Sequence, residues 1–111
     1  FPKSMDALNV SDEIDQDWTF FSNYAHVLVC LAQNPQALLR EIADRVGVTE
    51  RTAMRLITRL DDAGILKRVK QGRRNFYEIE TSKHLRHPLE AHCTIAQLLA
   101  MILQQTQETK K

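Results

Sequence analysis

Arg51 and Arg55 stand four residues apart, with Thr52 beside the first of them. On a helix that spacing is about one turn, so the two guanidiniums share a face. A guanidinium is a planar fork of donors that matches guanine O6 and N7 in a major groove, or a phosphate, and a threonine beside it is short enough to meet a base methyl group or a phosphate. Arg59 continues the line by one more turn, where it would meet phosphate or pair with an acid such as Asp62. A second group follows: Lys67, Arg68, Lys70, Arg73 and Arg74 put five positive charges into eight residues with no acid among them. Either group taken alone could be an ordinary solvated surface. Together, on a reading helix and a hairpin, they fit contact with a nucleic-acid backbone and its bases.

Other chemistry is sparse. His26 and Cys30 lie at i and i+4, and His92 is followed by Cys93. Metal ligation needs several ligands to converge, and a buried thiol with an interfacial imidazole is the simpler role for such residues, so no metal is expected. The chain has no glycine-rich phosphate loop, nucleophile elbow or paired acids in a plausible cleft, so neither enzymatic activity nor a cofactor is expected.

The elements that must position the arginines are read from periodicity. Leu38, Leu39, Ile42, Ala43 and Val46 recur at helical steps in a helix expected over 37–46, and Gly47 ends it by taking the left-handed conformation, with Val48 as an apolar plug. Thr49 is placed to cap the next helix, expected from Glu50 to Ala63, with Ala53, Leu56, Ile57 and Leu60 inward and Gly64 as its stop. Ile65–Lys70 and Asn75–Glu80 alternate as strands, with Gln71 to Arg74 as the turn between them. Lys67, Arg68 and Lys70 then alternate faces, which makes the tip the favoured point of contact.

The stretch REIADRVGVTERTAMRLITRLDDAGILKR resembles the helix-turn-helix and strand entry of winged-helix regulators of the MarR and ArsR kinds. The resemblance implies a mainly α fold with a small β-hairpin wing, a reading block over 36–80, and double-stranded DNA as partner. It also implies a homodimeric transcriptional regulator, a repressor by promoter occupancy, with the reading helix in the major groove and the wing on the adjacent backbone or minor groove. The candidate DNA contacts are Thr49, Arg51, Thr52, Arg55, Arg59, Lys70, Arg73 and Arg74. Some ArsR-like proteins sense metals, but the cysteine-rich motif they use is absent from Leu38–Val46. A second class stays open, in which the same fold docks another protein through its basic wing.

The flanks complete the domain expected over 18–111. A long first helix is expected over Trp18–Gln33, apolar on more than one stripe and ended by Asn34-Pro35. A last helix is expected over 88–105, opened by Pro88, with Leu89, Cys93, Ala96, Leu99 and Leu103 on one side and Ile95, Leu98 and Ile102 on another. Two apolar sides need two covers, so the long terminal helices are expected to form a dimer interface. An aromatic-lined cavity near Trp18 is where a small-molecule effector would fit. Residues 1–17 carry one lysine against five acids and read as a flexible acidic arm, while 40–74 carry ten Lys or Arg against five acids. The net charge of +1 hides that asymmetry. Two unpaired cysteines and the lack of a leader or a long apolar run point to a cytoplasmic protein with no membrane association.

Overall fold

The computed structural model describes residues 18–110, so the acidic arm lies outside the described residues. In chain order the elements are α1 (Asn23–Gln33), α2 (Leu39–Val46), α3 (Glu50–Asp62), β1 (Leu66–Gln71), β2 (Arg74–Ile79) and α4 (Ile95–Lys110). β1 and β2 pair antiparallel, with Leu66 opposite Ile79 and Gln71 opposite Arg74. The architecture is mainly helical with a two-stranded wing, as the sequence pattern predicts.

One core joins the elements. Val27, Ile42 and Ala53 are fully inaccessible, and Leu31, Ile57, Leu66, Tyr77 and Ile95 close around them. The inward stripe of α3 is Ala53, Leu56, Ile57 and Leu60, the set its periodicity requires. β2 is also tied to the turn after α1, because the Tyr77 N–H donates to the Pro35 carbonyl at 3.0 Å.

Caps set the helix ends. Gly47 has φ 91°, and the Val48 N–H reaches back to the Ala43 carbonyl at 3.0 Å, which turns the chain out of α2. At the end of α3 the Ile65 N–H bonds the Leu60 carbonyl at 3.0 Å and the Gly64 N–H bonds the Asp61 carbonyl at 3.0 Å, the paired bonds of a Schellman closure. The helix therefore stops at Asp62, one residue before the expected Ala63.

Three helix starts differ from expectation. α1 begins at Asn23 rather than Trp18. The Thr19 hydroxyl donates to the Phe21 carbonyl, a local bond that competes with helix, and Ser22 is extended at φ −73° and ψ 170°. Trp18 and Phe20 are therefore exposed rather than buried on a helix face. α2 begins at Leu39 rather than Ala37. Asn34 Oδ1 accepts from the Gln36 N–H at 3.2 Å and holds a turn there, while Glu41 reaches back to the Leu38 N–H at 2.8 Å. Leu38, expected on the buried face, precedes the helix and is exposed.

The largest shift is in the last helix, which begins at Ile95, not near Pro88. Thr94 and Gln97 form a reciprocal cap: Thr94 Oγ1 accepts from the Gln97 N–H at 3.2 Å, and Gln97 Oε1 accepts from the Thr94 N–H at 2.8 Å. Pro88 instead sits in a turn where the Glu90 N–H bonds the His87 carbonyl at 2.8 Å. Leu89, Cys93 and His92 consequently lie on a loop, and Leu89 is exposed. The loop closes on itself: the Leu85 N–H bonds the Cys93 carbonyl, the Ile95 N–H the Lys83 carbonyl, and the Ala96 N–H the Thr81 carbonyl.

Candidate nucleic-acid interface

Thr49 fixes the start of the reading helix. Its backbone is extended at φ −74° and ψ 161°, and its Oγ1 accepts from the Thr52 N–H at 3.1 Å. The Thr49 hydroxyl in turn donates to Thr52 Oγ1 at 3.1 Å, so both threonines of the expected contact set are engaged in the cap. Glu50 in the first turn and Arg59 in the last are placed as the helix dipole favours.

Turning the buried stripe inward leaves Arg51 and Arg55 exposed on the opposite face. Among the described residues neither is hydrogen-bonded to another side chain, so their full donor sets face outward. Arg59 behaves differently. Its Nη1 donates to the Tyr24 hydroxyl at 3.3 Å, which ties the guanidinium to α1.

The wing tip is tighter than its sequence suggested. Gly72 and Arg73 alone connect the strands, with φ +61° at Gly72 and no positive φ at Arg73. That combination suits a two-residue hairpin with glycine first, whose twist matches the strands. Arg74, expected in the turn, is paired in β2 instead, and its Nη2 donates to the Gln36 carbonyl at 3.3 Å. Arg73 projects from the tip, and Lys70 sits one pair below it opposite Asn75. The register puts Arg68 and Lys70 on the face of Leu66 and Tyr77, and Lys67 on the other with Val69, Phe76 and Glu78. The alternation of faces expected from the sequence is therefore present.

The cysteines and histidines do not gather. Cys30 is buried, and burial pushes its thiol pKa upward, partly offset by the charge of and a hydrogen bond from Arg45. His26 Nδ1 lies 3.1 Å from Asn23 Oδ1, and Cys93 is on the loop rather than on a neighbouring helix. Among the described residues no three His, Cys, Asp or Glu side chains converge on a common point.

Sequence reasoning placed an aromatic-lined cavity near Trp18 but missed its true walls. A cleft of about 610 Å³ lies between α1, the end of α3, the 81–94 loop and the start of α4. Its floor is apolar, with Tyr24, Leu28, Leu60 and Leu98, and Phe20 and Phe21 line it too. Arg59 and Arg86 line it as cations, with His84 and His87 beside them and Glu90 as the acid. The Arg86, His87 and Glu90 contribution carried no readable signal, because it depends on how the loop folds back.

The geometry, a capped helix bearing outward arginines and followed by a basic hairpin, is the arrangement of a winged helix-turn-helix fold. Residues 26–67 match the family described as winged helix-turn-helix DNA-binding. Among solved structures the chain is similar to the PcaV transcriptional regulator from Streptomyces coelicolor, solved in complex with its natural ligand. The two are 24% identical with a TM-score of 0.47, over 75% of this chain and 60% of that one. The chain thus spans about 60% of that regulator's length. No curated protein matches the chain. Among the described residues no helix is long and apolar enough to cross a membrane.

Proposed function

We propose that the protein is a homodimeric transcriptional regulator of the MarR or ArsR kind that reads a two-fold-related operator in double-stranded DNA. The observation that carries the reading is the outward pair Arg51 and Arg55, bonded to no other side chain among the described residues, on a Thr49-capped helix. The start of α3 enters the major groove, Arg51 and Arg55 address base edges, and Lys70 and Arg73 neutralise phosphates beside it. Thr49 and Thr52 act through the cap, with Thr52 close enough to the groove to meet a phosphate. Arg59 and Arg74 hold the fold and add long-range positive charge. Repression follows from occupying a promoter, and no catalytic step is involved.

Pairing of two copies rests on α4 and the segment before α1. Met101 is 58% exposed and Trp18 53% exposed, surfaces that a second copy would cover. Two copies would place their reading helices about one helical turn of DNA apart, roughly 10–10.5 base pairs, or a multiple of it.

Selection of bound duplexes from a randomised pool tests this reading, with mass in solution measured in parallel. An enriched inverted repeat and a dimer mass are the expected results. Retention without sequence enrichment would reduce the function to phosphate-driven binding. No retention by folded protein would move it to protein docking through the basic wing, a role for which binding would show no salt-dependent affinity for duplex.

A further inference from the structure

The cleft between α1, the end of α3 and the 81–94 loop has the make-up of a peptide groove, with an apolar floor and cations at the wall. We propose that its occupant is the acidic segment of the same chain, residues 12–17. Three observations converge on that segment rather than on another ligand.

The first is where the chain leaves the described part. Residue 17 adjoins Trp18, and Phe20 and Phe21 two and three positions on line the cleft. Ile14 lies six residues before Phe20, a tether that spans at most about 20 Å when fully extended. A tether this short holds a segment at an effective concentration on the order of millimolar, so weak contacts suffice.

The second is charge. Asp12, Glu13, Asp15 and Asp17 make four of the arm's five acids, against the single Lys3. The cleft offers Arg59 and Arg86 with one opposing acid, Glu90, and the imidazoles of His84 and His87. Arg59 gives one donor to Tyr24, and a guanidinium has five, so it retains donors for a carboxylate.

The third is the pattern within the segment. Ile14 stands between Glu13 and Asp15, one apolar side chain flanked by carboxylates. An apolar floor beneath a cationic wall accepts that arrangement: Ile14 against Leu28 and Leu60, carboxylates toward Arg59 and Arg86. Docking there leaves Arg51 and Arg55 untouched, so it stands or falls independently of DNA reading.

Cleavage of the full chain by a protease specific for glutamyl bonds, followed by intact mass, measures docking through the cut after Glu13. A docked segment is cut only when it releases, so the rate reports the released fraction. Slow cutting is expected for the native chain, with acceleration by roughly tenfold in Arg86→Glu and in the doubly neutralised Asp15→Asn, Asp17→Asn arm. Salt at about 1 M, where screening acts over about 3 Å, should accelerate the native chain too. The arm variant leaves every core residue in place, so it answers the question even where Arg86→Glu folds poorly. Equal rates in the native chain and the arm variant, as a cleft holding a small molecule would give, overturn the proposal. Protection that rises with protein concentration also overturns it, because the occupant is then the arm of a second copy.

Discussion

The two ends of the reading helix use arginine in opposite ways. At the start of α3, Arg51 and Arg55 are exposed and bonded to no described side chain. At its end, Arg59 is bonded to Tyr24, and in the neighbouring wing Arg74 is bonded to the Gln36 carbonyl. A guanidinium bonded inside its own protein is held in one place with fewer donors to offer, whereas one without such a bond can turn its whole fork toward a partner. Among the described residues the cationic surface is therefore divided into arginines bonded within the fold and arginines that are not, and residue type alone does not separate them.

The strongest test removes the frame shared by both ends. Ile57→Ala takes a fully buried side chain from beneath the reading helix and should cost about 2–5 kcal/mol in unfolding free energy, measured by denaturant titration. Arg55→Ala then separates reading from holding. Specific binding should weaken by about 1–3 kcal/mol with binding to random duplex unchanged, and equal loss on both would show that the contact is not to a base. Thr49→Ala acts on both ends through the helix start, and about 1 kcal/mol of stability should go with the cap. Tyr24→Phe deletes only the hydroxyl that Arg59 grips. A loss of about 0.5–1.5 kcal/mol in stability, with unchanged DNA specificity, marks Arg59 as a holder, while altered base preference would place it among the readers. Arg73→Ala gives the smallest effect: the slope of log affinity against log salt should fall by about 1, with sequence preference retained.

The middle of the chain was legible because its boundaries are local. Gly47, Thr49 and Gly64 each act within a few residues of the end they set, and all three sit where the sequence pattern put them. The flanks were harder for identifiable reasons. Pro88 is compatible with a first helical turn and equally with a bend, and the Thr94–Gln97 pair that does start α4 is a cap signal the sequence also carries. Trp18 to Phe21 look helical by apolar content, yet Thr19 bonds the backbone locally and the helix waits until Asn23. Among the candidate contacts, the outward pair on α3 follows from periodicity alone. The restraint of Arg59 by Tyr24 and of Arg74 by Gln36 spans more than thirty residues in each case, beyond anything spacing can encode. The cleft is non-local for the same reason.

The closed loop before α4 has a mechanical consequence. With Ile95 bonded to Lys83 and Ala96 to Thr81, the first turn of the last helix is clamped to the foot of the wing. While those two bonds hold, the start of α4 and the chain leaving β2 keep a fixed spacing.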